Sequence, residues 1–157
     1  YVGASLEVMD RDSRKMRGES DGFTGREAEI PVSERPEIDR WILSELNSLI
    51  RDVTASLEDY DPTPAARRID QFVDENLSNW YVRLNRKRFW GGELTKDKLA
   101  AYQTLYTCLE TVAMLAAPIA PFITDRIFCD LNAISGRHTE SSVHLAEYPT
   151  SNAALID

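Results

Sequence analysis

Apolar residues recur at 38, 41, 42, 46, 49, 50, 53 and 57, in steps of three and four. That spacing draws one stripe down a helix predicted from about 36 to 58. Pro36 suits the first helical position, and Glu37 complements the positive end of the helix dipole. Asp59-Tyr60-Asp61-Pro62 ends the helix. A second helix takes Asp61 as its cap and Pro62 in its first turn, then runs to about Phe89, before Gly91-Gly92. Its core stripe is Ala66, Ile69, Val73, Leu77, Trp80 and Leu84, flanked by Phe72 and Tyr81. Trp41, Trp80 and Tyr81 therefore read as packing residues. At 1.5 Å per residue this helix is roughly 40 Å long, enough to contact an elongated ligand.

The third helix starts near Thr95, with a stripe of Leu99, Tyr102, Leu105, Tyr106, Leu109, Val112, Ala113 and Ala116. Pro118 interrupts it, because proline lacks an N–H and disfavours a helical Ala117. A shorter fourth helix is expected from Ile119 or Pro121 to Leu131. Three long amphipathic segments with short connections predict an all-α, antiparallel helical bundle. With a short fourth helix, one apolar face is expected to stay uncovered, open to self-association or to neighbours outside the chain. The expected layout is a partly irregular lead-in over residues 1–32, the bundle over 33–134, and an extended segment over 135–157. Turn pairs Asp21-Gly22 and Thr24-Gly25 mark the lead-in, whose Arg11, Arg14, Lys15 and Arg17 read as a solvated, partly mobile tail.

Composition narrows the class. A chain of 157 residues suits one domain, and 43% hydrophobic content excludes a disordered one. No apolar run reaches the roughly 20 residues that span a bilayer; Val112 to Ile123 is broken by Pro118 and Pro121. Tyr1 to Leu6 is too short for a secretory leader, and Glu7, Asp10 and Asp12 follow it. The absence of an initiator Met at position 1 is expected of a segment inside a longer protein. Cys108 and Cys129 form no disulfide framework, so a reduced, cytoplasmic setting is expected. The net charge of −8 argues against broad nonspecific nucleic-acid binding. Between 83 and 98, however, Arg83, Arg86, Lys87, Arg88, Lys96 and Lys98 face only Glu93 and Asp97, a local +4. A focused basic patch on an acidic body suits contact with a few phosphates.

No catalytic or metal-binding constellation stands out. Gly91-Gly92 is an isolated pair, His138 and His144 lack ligand-spaced partners and read as surface or loop residues, and both cysteines read as small core residues. The informative stretch is Asn79 to Trp90. Asn79, Arg83, Arg86 and Trp90 follow steps of four, three and four, so they share one flank of a helix, with Asn76 at its upper end. Amide groups, guanidinium forks and an indole face can grip a sugar–phosphate backbone and stack on a base. Lys87 lies closer to the core side, its stem over apolar surface and its charge toward solvent. A plainer reading has Asn79 and Arg83 in a semi-buried network with a carboxylate such as Glu45, and Arg86 and Arg88 on an ordinary solvated face.

Four ordered words carry a resemblance: Glu37-Ile38-Asp39-Arg40-Trp41-Ile42-Leu43; Asn79-Trp80-Tyr81-Val82-Arg83 through Arg86-Lys87-Arg88-Phe89-Trp90; Ala117-Pro118-Ile119-Ala120-Pro121-Phe122; and Ser142-Val143-His144-Leu145-Ala146-Glu147-Tyr148-Pro149. Over about residues 21–150 the chain resembles the anticodon-binding helical domain of isoleucyl-tRNA synthetases, in class Ia of the aminoacyl-tRNA synthetases. The third and fourth words are similar to those of the valyl, leucyl and methionyl enzymes as well. Residues 1–20 depart from the family pattern, being polar and basic where the family is apolar and aromatic.

The resemblance implies a parent ligase that activates isoleucine with ATP and Mg²⁺ and transfers it to its tRNA. Catalytic and editing domains, and a C-terminal part that can carry zinc, would lie outside this chain. The family's His-Ile-Gly-His and Lys-Met-Ser-Lys-Ser words are not in the sequence. The piece is thus expected to bind isoleucine-specific tRNA without catalysing, through Asn79, Arg83, Arg86, Lys87, Arg88 and Trp90, with no catalytic, cofactor or metal residues of its own and no membrane partner. The same domain of a valine enzyme, and a helical scaffold binding an acidic protein surface, remain the alternatives.

Overall fold

The computed structural model describes residues 23, 25–90 and 94–156. Expectations for the tail, for the departure over residues 1–20 and for Gly91-Gly92 lie outside the described residues. Among the described residues five α-helices follow in order: α1 Glu37–Glu58, α2 Pro62–Gln71, α3 Arg86–Trp90, α4 Lys96–Ala116 and α5 Pro121–Ser135. A π-helical segment, Phe72–Val82, joins α2 toward α3, and 3₁₀ turns lie at Val32–Glu34, Val143–Leu145 and Ala153–Leu155. Among the described residues there is no strand, and no helix is long and apolar enough to cross a membrane. The all-α class is as the periodicity predicts.

Helix α1 starts one residue later than expected. Pro36 is its cap, in extended backbone, and Glu37 opens the helix. Its end is a Schellman turn: the Tyr60 N–H donates to the Leu57 carbonyl at 3.1 Å and the Asp61 N–H to the Ser56 carbonyl at 2.9 Å. Tyr60 occupies the left-handed position, φ 58°, that glycine normally takes. Asp61 then caps α2, accepting the Thr63 N–H at 3.1 Å.

The predicted second helix is a composite rather than one α-helix. From Phe72 to Val82 its hydrogen bonds widen to the i→i+5 pattern. In an α-helix each step of four overshoots a full turn by roughly 40°. The wider turn removes most of that drift, so one buried line runs through Ile69, Val73, Leu77, Tyr81 and Asn85. The expected continuation of the core through Trp80 and Leu84 is thereby overturned: both are 60% exposed.

Helix α4 is the centre of the bundle, with Ala100 to Tyr106 buried without a break. The described lead-in is held against it. Phe23 stacks on Tyr102 at 5.2 Å, Gln103 accepts the Ile30 N–H and donates to the Ala28 carbonyl, both at 2.9 Å, and the buried Arg35 donates to Thr104 Oγ1 at 3.0 Å. Phe89 continues the aromatic chain, edge-on to both Tyr102 and Tyr81. Helix α5 extends past Leu131 to Ser135, where Gly136 at φ 63° closes it. The C-terminal segment also packs on the bundle. Asp125 holds Ser142 and Val143 N–H at 2.6 and 2.9 Å, the Tyr148 hydroxyl donates to the Leu115 carbonyl at 3.2 Å, and the Asn152 N–H donates to Asn47 of α1 at 2.8 Å.

Candidate nucleic-acid interface

The basic stretch ends in the short helix α3, and a buried carboxylate of α1 sets where that helix lies. Asp39 is fully buried and accepts the Tyr81 hydroxyl at 2.7 Å. Arg88 closes on the same carboxylate with both guanidinium prongs, at 2.8 and 2.9 Å, and its Nε reaches Asp97 at 2.8 Å. Burial alone would lower the Arg88 pKa; its hydrogen bonds to Asp39 and Asp97 outweigh burial and hold it above its ordinary value. The Tyr81 phenol is pushed well up, first by burial and then by the Asp39 charge. Arg88, expected among the RNA-binding residues, is thus engaged within the protein.

Two other cations have partners within the protein, one at the surface and one buried. Lys96 pairs with Glu34 at 2.8 Å, and Lys98 is buried, its ammonium 5.8 Å from the Tyr102 ring centre. Arg83, Arg86 and Lys87 are exposed, and Lys96 is exposed as well, in a surface ion pair. Among the described residues neither Arg83 nor Lys87 has a hydrogen-bond or ion-pair partner. Arg86 lies 4.9 Å over the Trp90 ring, a cation–π stack that presents a flat, positively charged plate. Asn79 is exposed beside them. The semi-buried network does not form around Asn79 or Arg83, because Glu45 instead accepts from Asn76 at 2.9 Å.

The Glu45–Asn76 and Asp39–Tyr81 bonds fix the antiparallel register of α1 against the π-helical segment. Trp41, expected as a packing residue, is 38% exposed. Trp80 and Leu84 lie on the strip next to Asn79, Arg83 and Lys87, so an apolar strip runs beside the cationic one. Sequence periodicity missed this face by treating Trp80 as core. The available signal was that Tyr81 and Asn85 continue the four-residue steps from Leu77.

Cys108 is buried, and burial followed by the Asp39 charge pushes its thiol far up, away from the reactive thiolate. The Cys129 thiol is also raised, chiefly by burial. His144 is exposed as expected, whereas His138 is half-buried, 2.9 Å from Glu110 and packed on Phe128. Among the described residues no three His, Cys, Asp or Glu side chains converge as a metal site.

Residues 39–157 match the family described as the anticodon-binding domain of tRNA ligase. An isoleucine–tRNA ligase of Bacteroides thetaiotaomicron is 62% identical over 137 residues, 87% of this chain, and one of Cytophaga hutchinsonii is 61% identical over the same share. One of Thermus thermophilus is 48% identical over 127 residues, 81% of the chain. The chain spans 12% of the length of each of these relatives. It belongs to the anticodon-binding domain family of tRNA ligases.

Proposed function

We propose, from that membership, that the chain is the tRNA-binding bundle of a cytosolic isoleucine–tRNA ligase, positioning isoleucine tRNA for aminoacylation carried out elsewhere in a longer polypeptide. The observation that carries this reading is the row of exposed Arg83, Arg86 and Lys87 on a body of net charge −8. A polyanion with its charges along one line matches such a row.

Arg83 and Lys87 would neutralise successive phosphates and set the register of the RNA. The Arg86–Trp90 plate adds a planar face for a base or ribose, and Asn79 an amide for sugar hydroxyls. The bundle over residues 33–134 would carry these contacts, with the lead-in and C-terminal segments bracing it. The parent reaction draws on ATP and Mg²⁺, and its catalytic, editing and C-terminal parts are the expected covalent neighbours. None of the described residues is assigned to ATP, Mg²⁺ or zinc.

The test is fluorescence anisotropy of isoleucine tRNA with the chain, over a range of salt concentrations. Replacing Arg83 and Arg86 by Ala should weaken binding and flatten the salt slope by roughly 0.7–0.9 for each phosphate no longer neutralised. A folded double variant with an unchanged slope removes these residues from the interface.

A further inference from the structure

Helix α3 has only five residues, none of them fully buried. Isolated helices shorter than about 12–15 residues are marginal in water, so α3 owes its place to tertiary tethers. The chain turns at Asn85 just before it, and the tethers converge from both neighbouring helices. From α1, Asp39 takes both prongs of Arg88, at 2.8 and 2.9 Å. From α4, Asp97 accepts Arg88 Nε on its carboxylate and Nη2 on its carbonyl, each at 2.8 Å. The Tyr102 hydroxyl donates to the Phe89 carbonyl at 3.1 Å. Asn85, itself buried, accepts Arg88 Nη1 at 2.8 Å and donates to the Tyr81 carbonyl at 2.8 Å.

We propose that Asp39 is a positioning residue for RNA binding: through Arg88 it fixes Arg86 and Lys87 of α3 relative to Arg83 on the preceding segment. This rests on the RNA-binding reading above. Asp39 is fully buried, so it acts through Arg88 and touches no ligand itself. The Tyr81 hydroxyl, 2.7 Å away, keeps the carboxylate from swinging. Two parallel hydrogen bonds from a planar guanidinium set orientation as well as distance. Stability does not require such a pair, because well-packed apolar side chains of similar volume often serve as well. Apolar contact is non-directional, however, and does not reproduce the aim of the fork. A helix free to swing would have to be ordered by the RNA on arrival, which lowers affinity without removing a contact.

The experiment measures anisotropy of labelled isoleucine tRNA with the whole 157-residue chain over a range of salt concentrations. Asp39→Leu with Arg88→Met should keep the urea midpoint near that of the parent and still weaken tRNA binding about tenfold. The slope of affinity against salt should stay unchanged, because no phosphate contact is lost. Arg83→Ala should instead lower affinity and slope together. Arg88→Lys keeps a charge opposite Asp39 but loses the fork, so it should fold and bind less tightly at the parent slope.

Parent affinity in the folded double variant would make the pair merely structural and overturn the proposal, with the RNA reading intact if Arg83→Ala still weakens binding. A reduced slope in the double variant would place Arg88 on a phosphate and overturn it likewise. If the double variant does not fold, Arg88→Lys decides: full affinity there means that a single charge suffices and positioning by the fork is wrong. If the parent chain does not bind the tRNA, the RNA reading fails and the proposal falls with it.

Discussion

Arg88 and Asp39 meet as a two-pronged ion pair across 49 positions, with Nη1 2.8 Å from Oδ1 and Nη2 2.9 Å from Oδ2. Asp39 has no solvent of its own, so the pair cannot be halved cheaply. Arg88→Ala is expected to lower unfolding free energy by about 3–5 kcal/mol, because it strands a buried carboxylate. Joint replacement, Asp39→Leu with Arg88→Met, should recover most of that deficit. Asp97→Ala removes an exposed partner of the same guanidinium and should cost about 1 kcal/mol or less. Urea denaturation of the four proteins checks the ordering; equal effects for Arg88→Ala and Asp97→Ala would contradict it.

The cations that remain outside predict the opposite pattern. Arg83→Ala and Lys87→Ala touch no partner among the described residues, so each should leave stability within about 0.5 kcal/mol. Each should nonetheless weaken RNA binding. Melting curves alongside anisotropy separate the two effects, and a large drop in melting temperature for either variant would assign it a structural role.

Tyr60 offers a stabilising change. It sits in the left-handed region at φ 58° and is 94% exposed, so its ring contributes almost no packing. The left-handed conformation costs a residue with a Cβ roughly 1–2 kcal/mol, a penalty glycine avoids. Tyr60→Gly should therefore raise stability by about 1 kcal/mol, less what glycine's freer unfolded chain takes back. A fall in the urea midpoint would mean that the exposed ring stabilises the fold after all.

Alkaline pH should loosen the bundle through its tyrosines. Burial first, and then the Glu110 carboxylate, push the Tyr106 phenol from 10.0 up to about 12; burial does the same for Tyr148. The folded state holds these protons more tightly than the unfolded chain. Their contribution is fully present below pH 10 and is lost as pH rises toward 12. Stability measured across that window should fall, with a shallower slope in Tyr106→Phe. A flat profile would show that neither phenol is held in the neutral form by folding.

Much of the fold was legible because helices are written locally. Steps of three and four marked α1 and α4 to within a residue or two, and Asp61, Pro62 and Pro118 punctuated them as capping and ring sterics require. The basic flank was legible as a set of cations. Which of them face solvent was not. Asp39 and Glu34 lie far from Arg88 and Lys96 in the chain, and nothing in a local window announces that carboxylates will meet them. Trp80 was misplaced for a related reason: a 3.6-residue period presumes an α-helix, and the change to wider turns is a property of the packed segment.

By itself the sequence determined the helical class, the order of its elements and, through four ordered words, the family to which the chain belongs. Those follow from near-neighbour sterics, periodic polarity and shared motifs, which need no third dimension. Tertiary structure alone decided that Arg88 and Lys98 serve the protein, leaving Arg83, Arg86 and Lys87 outside. It also decided that Tyr81 turns inward to Asp39 while Trp80 turns out. Burial and charge pairing are set by residues distant in sequence, and only their meeting in space tells a structural cation from an available one.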